Sequence, residues 1–256
     1  MSKVRTVLLV GGSDPSCGAG VQADLQTLNL LRVPARCVVS ALTAQNEKEF
    51  FSTQLCRPKN FIDQFKSLNF NGKESILKVG MLGHFRLVEI LLNWMVQNKA
   101  FFSILDPVFK SSTGAALIDP KGLSLLRKNL FLFDLLTPNI HELEVLSGRK
   151  IKRDGEVRGV AEIFYEEIKR QNPKFHLLVK GGHLQKTSTD FLFTPQNFYS
   201  FPAPLIPLSS NVHGTGCSLA SALAAYLAQG LKMKEAARKA KDLVRKKILN
   251  HQKAHS

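Results

Sequence analysis

Cysteine is scarce in this chain: four residues in 256, Cys17, Cys37, Cys56 and Cys217, with no CxxC pair and no metal-ligand spacing. Scattered thiols of this kind argue against a disulfide-stapled or zinc-ribbon architecture and fit a reducing compartment. Long apolar runs are missing as well, so no membrane span is expected. The short apolar run 7–10, behind Lys3 and Arg5, falls well below a secretory h-region, and a cytoplasmic protein without a membrane partner is expected. Low-complexity tracts are absent. With 44% hydrophobic and 21% charged residues, the composition is that of a globular chain with a sizeable core. No GxxxxGK[ST] occurs, which excludes a Walker-type nucleotide site. Neither Gly11-Gly12-Ser13 nor Gly18-Ala19-Gly20 has the spacing of a dinucleotide fingerprint.

Acidic residues are also few, 20 against 35 Lys and Arg, for a net charge of +15. Much of the surplus lies in residues 232–256, where Lys232, Lys234, Arg238, Lys239, Lys241, Arg245, Lys246, Lys247 and Lys253 face only Glu235 and Asp242. Ala236, Ala240, Val244 and Ile248 recur there at helical spacing and mark a buried stripe. The lysines are therefore read as a solvated face. No aromatics accompany them for stacking on bases, and no nucleic-acid partner is expected. The positive field would still attract anionic substrates.

Strand and helix patterns alternate along the chain. The apolar runs 7–10, 37–43, 76–79, 103–105, 135–137 and 177–179 read as strands. The first is apolar throughout, as a strand buried on both faces must be. Residues 18–31, 87–96, 117–132, 160–169, 216–229 and 234–249 read as helices, and 191–193 with 197–201 as a hairpin. With no internal repeat and no linker, residues 1–256 are expected to form one α/β domain. It would be a three-layer sandwich with a mostly parallel central sheet and helices on both faces. Ligands of such folds sit beyond the C-terminal strand ends.

The segment 211–218, NVHGTGCS, opens the helix at 216–229. Glycines allow close backbone approach, and a helix N-terminus offers free N–H groups and a positive dipole end, so an anion site is one reading and a plain helix cap the other. A thiol in such a field is expected to lean toward thiolate. Asp106 and Glu142, at neighbouring strand ends, suit Mg²⁺ as oxygen ligands; singly they read as a turn residue and a first-turn helix charge. Lys180 can reach a phosphate or simply mark a strand exit. His183 and His213 can hold phosphate or bond to backbone. Asp24 with Gln45 can read a polar heterocycle or be a solvated helix residue and a loop amide. Cys37 and Cys56 read as small apolar fillers.

Taken in order, GGSDPSCGAGVQADLQT, VVSALTAQN, KVGMLG, LDPVFKSSTGAALI, LLTPNIHELEVLSG, LLVKGGH, DFLF and NVHGTGCSLASALAAYLAQG resemble the ribokinase superfamily. Within it they resemble hydroxymethylpyrimidine/phosphomethylpyrimidine kinases. The quoted segments run from Gly11 to Gly230, and the resemblance is taken over residues 5–249. The resemblance implies a ribokinase-like fold and ATP- and Mg²⁺-dependent phosphorylation of 4-amino-5-hydroxymethyl-2-methylpyrimidine, then of its monophosphate to the pyrophosphate, in thiamine diphosphate biosynthesis. It implies a pyrimidine pocket of Gly12, Asp24, Gln45 and Met81. It assigns ATP contacts to Lys180, Asn139 and Thr215, Mg²⁺ to Asp106 and Glu142, an anion hole to Gly214, Thr215 and Gly216, and the role of base to Cys217. A homodimer is also implied.

Three positions depart from the family pattern: Cys17 for glycine, Ser218 for threonine, and Lys110. A side chain at 17 is expected to crowd the pocket or strain the turn. The nearest rival reading is a pyridoxal or pyridoxine kinase, since both substrates are hydroxymethyl heteroaromatics. Two further readings are a silent sensor or nucleic-acid-binding protein on the same scaffold, supported by charge alone, and a cysteine hydrolase using Cys217 and His213, which lacks a third partner.

Overall fold

The computed structural model describes residues 4–46, 49–68, 70–111, 114–181, 188–206 and 215–255. Its strands are β1 (Thr6–Ser13), β2 (Ala35–Gln45), β3 (Phe50–Leu55), β4 (Ser75–Val79), β5 (Phe102–Leu105), β6 (Leu135–Leu136), β7 (His176–Val179), β8 (Asp190–Phe193) and β9 (Phe198–Phe201). They form one sheet in the order β3-β2-β1-β4-β5-β6-β7-β8-β9. The run from β2 through β7 is parallel, and β3, β8 and β9 add antiparallel edges. Chain order reverses at β1, which has β2 on one side and β4 on the other. That reversal leaves a crevice beyond the carboxyl ends of β1 and β4, where open α/β sheets bind ligands.

The helices are α1 (Gly20–Leu30), α2 (Pro58–Ser67), α3 (Phe85–Gln97), α4 (Pro120–Lys128), α5 (Ile140–Ser147), α6 (Val157–Lys169), α7 (Thr215–Ala228) and α8 (Met233–His255). Period-two alternation divides each strand between two cores. On β1, Val7 and Leu9 pack with Leu28 of α1, Leu223 of α7 and Ala240 of α8. Leu8 and Val10 pack on the other face with Phe61 of α2, Leu91 of α3 and Phe164 of α6. Each such aliphatic side chain stabilises by about 1.5–3 kcal/mol when fully buried. The expected three-layer arrangement is therefore present.

Three elements escape the sequence reading. The edge strand β3 has five exposed residues in its six, so it carries almost no inward apolar signal. The helix α2 starts at Pro58 and buries only Phe61 and Phe65. The helix α5 is eight residues long, too short to show a period. The helix expected over 117–132 begins later, because Asp119 accepts the Gly122 N–H and Pro120 occupies the first turn. A 3₁₀ turn at Leu130–Leu132 ends that segment.

The solvated-lysine reading of the last helix needs correction at two positions. Lys232, Lys234, Lys239 and Lys246 are exposed as expected. Lys241 is buried instead, 3.1 Å from Asp190 Oδ2, and donates to the Ser188 carbonyl at 2.6 Å. Lys247 donates to Ser218 Oγ at 2.9 Å. The long methylene stem of lysine lets it cross the edge of the apolar stripe and still reach a polar partner.

The turn after β1 is organised by Asp14, which is buried and accepts the backbone N–H groups of Ser16 at 2.9 Å and Ala19 at 2.8 Å. Within this turn Cys17 adopts φ 59°, the left-handed region. Its side chain is exposed, so the expected crowding does not occur and the departure from glycine acts on the backbone alone. Left-handed φ costs a residue with a Cβ about 1–2 kcal/mol, and glycine gives back about 0.5–1 kcal/mol in chain entropy. Cys17→Gly is therefore expected to raise stability by roughly 0.5 kcal/mol, read as a higher urea midpoint at unchanged slope. A lowered midpoint would contradict this account of the turn.

Candidate active site

The crevice at the β1–β4 reversal is a cleft of about 450 Å³, and Gly12, Asp24, Gln45, Met81 and Cys217 all line it. The four residues expected around a heterocycle thus share one wall system with the thiol. Two glycines here are geometrically required. A Cβ on Gly12 would come within 2.8 Å of Met81 Sδ. Gly20 has φ 62° and sits against the Gly12 carbonyl, leaving no room for a side chain. Met81 is held in turn by Ser40, whose hydroxyl donates to the Met81 carbonyl at 2.6 Å.

Asp24 is not a solvated helix residue. It projects from α1 into the interior, where Ser221 Oγ of α7 donates to Oδ1 at 2.6 Å and Lys78 Nζ donates to Oδ2 at 2.7 Å. Burial pushes the Asp24 carboxyl up from the usual carboxylate range, against the pull of Lys78 and Ser221. Lys78 is the residue that the sequence reading missed. It lies in a strand whose every residue is buried, two places after Ile76, so alternation turns both to the α1/α7 face. Burial disfavours its ammonium, but Asp24 and other acidic neighbours outweigh that, and Lys78 is held protonated. A lysine inside an apolar strand, SILKV, is the signal that marked it.

A second group of polar side chains is built on the ends of β5, β6 and β7. Asp106 follows β5 and is fully buried. Its Oδ1 accepts Lys180 Nζ at 2.8 Å and Thr137 Oγ1 at 3.1 Å. Among the described residues its Oδ2 has no hydrogen-bond partner, and it lies 4.0 Å from Lys78 Nζ. Burial raises the Asp106 pKa, but Lys180 and Lys78 together bring it below the usual value. Glu142 belongs to a capping box at the start of α5: Asn139 Oδ1 accepts the Glu142 N–H, and Glu142 Oε2 accepts the Asn139 N–H at 2.7 Å. The same carboxylate is 3.6 Å from Lys180 Nζ. Glu142 and Asn139 thus have a structural duty whatever else they hold. Lys180 also packs against the start of α7, since a Cβ on Gly216 would lie 3.3 Å from its Nζ.

The donor set beside Lys180 fits a hard divalent cation. Asp106 Oδ2 is a buried oxygen with an unused lone pair, and Glu142 is near the same lysine. Two carboxylates leave most of a Mg²⁺ shell to water and phosphate oxygens, which is the usual pattern for that ion. Among the described residues no group of three or more His, Cys, Asp or Glu could hold a metal by itself.

Cys217, in the first turn of α7, is not poised as expected. Burial and the Asp106 carboxylate push its thiol up to about 12, and the nearby Lys78 and Lys180 only partly oppose this. The side chain of Thr215, together with Gly214, His183 and His213, lies outside the described residues.

A profile of the phosphomethylpyrimidine kinase family matches residues 14–256. The chain belongs to that family. A hydroxymethylpyrimidine/phosphomethylpyrimidine kinase of Aquifex aeolicus is 31% identical over 96% of this chain and 95% of its own length. A bifunctional thiamine biosynthesis protein of Geobacter sulfurreducens is 38% identical over 92% of this chain. The chain spans about half the length of that relative (47%) and of an Arabidopsis thaliana bifunctional thiamine biosynthetic enzyme (46%). Among solved structures, phosphomethylpyrimidine kinase of Clostridium difficile superposes with a TM-score of 0.80 at 30% identity, over 96% of this chain and 100% of that one. A pyridoxal kinase of Staphylococcus aureus in complex with pyridoxal gives 0.83 at 27% identity, over 97% and 89%. The same enzyme has also been solved in complex with AMP-PCP. Among the described residues of this family member, no helix is long and apolar enough to cross a membrane.

The free thiol is open to a direct check. Below a pKa of about 12 the Cys217 sulfur keeps its proton, and the thiolate is the form that reacts with alkylating agents. Iodoacetamide labelling of Cys217, followed by peptide mass spectrometry, is expected to stay slow at pH 8 and to accelerate toward pH 12. A labelling midpoint at or below pH 9 would overturn the assignment.

Proposed function

We propose that this chain transfers the γ-phosphoryl group of ATP to 4-amino-5-hydroxymethyl-2-methylpyrimidine, and then phosphorylates the monophosphate to the pyrophosphate. The observation that carries the reading is the junction of two half-sites. A cleft lined by Gly12, Asp24, Gln45 and Met81 ends at Cys217, and Lys180 packs against the first turn of the same α7 helix beside Asp106. Membership of the phosphomethylpyrimidine kinase family supports the reaction, and the A. aeolicus relative supports the substrate. We read residues 1–256 as one ribokinase-like kinase domain, acting as a cytoplasmic homodimer.

Gln45 and Asp24 would orient the ring so that its hydroxymethyl group points at Cys217. Lys180 would hold phosphate oxygens as a point charge. The N–H groups of Gly214, Thr215 and Gly216 would face charge growing on the transferred group. Asp106 and Glu142 would hold Mg²⁺, which neutralises phosphate charge when bound; Asn139 and Thr215 would contact the nucleotide. The acceptor oxygen forms its bond to the γ-phosphorus as the bond from that phosphorus to the β–γ bridging oxygen breaks, and ADP leaves with the electron pair. The hydroxyl proton passes to Cys217 in its thiolate form, the thiol's own proton having gone to solvent. Asp106 is the largest charge holding that thiol protonated, so pairing this carboxylate would ease the release. Phosphoryl transfer tolerates a late base, because its transition state is loose.

Cys217→Ala and Cys217→Ser are each expected to lower kcat by about 100-fold or more, the usual worth of a positioned base. Near-normal turnover in either variant removes the thiol as base. Parallel assays with the pyrimidine alcohol and with pyridoxal decide the acceptor. Faster turnover of pyridoxal would favour the reading suggested by the S. aureus neighbour.

A further inference from the structure

We propose that Lys78 is a further catalytic residue, whose ammonium holds the acceptor oxygen while that oxygen gives up its proton and attacks phosphorus. The inference rests on the kinase reading above. Lys78 and Cys217 line the same cleft. The ammonium carries three hydrogens, and among the described residues it donates one hydrogen bond, to Asp24 Oδ2 at 2.7 Å. Asp106 Oδ2 lies 4.0 Å from the same ammonium, a carboxylate oxygen with no hydrogen-bond partner among the described residues. Lys78 therefore stands between the residue at the ring end of the cleft and the residue at the phosphate end, with donors to spare.

That position is where charge develops. An alcohol oxygen is neutral in the ground state and becomes partly anionic as it loses its proton. A fixed cation beside it, buried to 1% exposure, stabilises the second state more than the first. Lys180, by contrast, is bonded to Asp106 Oδ1 and packs against Gly216, so it serves the phosphoryl group. The two lysines would divide the work between acceptor and donor. The cation is also anchored without help from the substrate. Ser221 Oγ, 2.6 Å from Asp24 Oδ1, fixes the carboxylate that fixes the ammonium. Ser221 is in this sense a positioning residue acting through Asp24.

The test must separate lost chemistry from lost folding, because Lys78→Met alone leaves Asp24 as a buried unpaired charge. The paired variant Lys78→Met/Asp24→Asn removes both charges at nearly constant volume, and Asp24→Asn alone keeps the cation. The measurements are thermal midpoint, calorimetric binding of a non-hydrolysable ATP analogue, and kcat and KM for ATP and for the pyrimidine alcohol. The paired variant is expected to fold and to bind the analogue within about threefold of wild type. Its kcat is expected to fall about 100-fold or more below that of Asp24→Asn, which shares the loss of the ring-orienting carboxylate; that is the scale seen when one transition-state donor is removed. A kcat in the paired variant within threefold of that of Asp24→Asn overturns the role of Lys78. Equal losses of nucleotide binding and kcat would mark Lys78 as merely structural and also overturn it. A wild-type chain that phosphorylates neither the alcohol nor its monophosphate removes the kinase reading, and this inference with it.

Discussion

Five charged side chains, alternating in sign, run along the strand ends inside this protein: Asp24, Lys78, Asp106, Lys180 and Glu142. Their successive separations are 2.7, 4.0, 2.8 and 3.6 Å. Each charge costs several kcal/mol to take out of water, and only a partner at close range offsets that cost. The row therefore constrains the whole fold. Its members come from α1, β4, the end of β5, the end of β7 and α5, so five elements must keep their relative positions for the charges to stay paired. The two apolar cores above and below the sheet supply that rigidity.

The row also explains why the thiol behaves differently from a thiol at an ordinary helix N-terminus. A helix end contributes about half a unit of positive charge. Around Cys217 that is set against full carboxylate charges and against burial itself. Burial raises the thiol most, the Asp106 carboxylate adds to it, and the sulfur keeps its proton.

Much of the architecture was legible because its signals are local. Continuous apolar runs gave β1, β4, β5 and β7, and the 3.6 period gave α1, α3, α6, α7 and α8. What escaped had only weak local signals: β3 is exposed along most of its length, α2 buries only Phe61 and Phe65, and α5 is two turns held by the Asn139–Glu142 capping box. In the site, Gly12, Asp24, Gln45 and Met81 were found through ordered family segments and do share one cleft. Lys78 opens one of those segments, KVGMLG. A lysine in a strand looks like an exposed side chain until the sheet shows that both faces are covered.

The sequence by itself determined the parallel α/β layering, the polar residues at the strand ends and the family, since these depend on periodicity and on short ordered motifs. Tertiary structure alone decided which charges meet. Asp24 and Ser221 are 197 residues apart, and Lys180 and Asp106 are 74 apart. Neither pair shares a local pattern. It also decided that Lys241 and Lys247 of the basic last helix turn inward, that Cys17 faces solvent on a left-handed turn, and that Cys217 stays protonated. The physical reason is common to all of these: hydrophobic patterning is read along the chain, whereas the energy of a buried charge depends on distances across it.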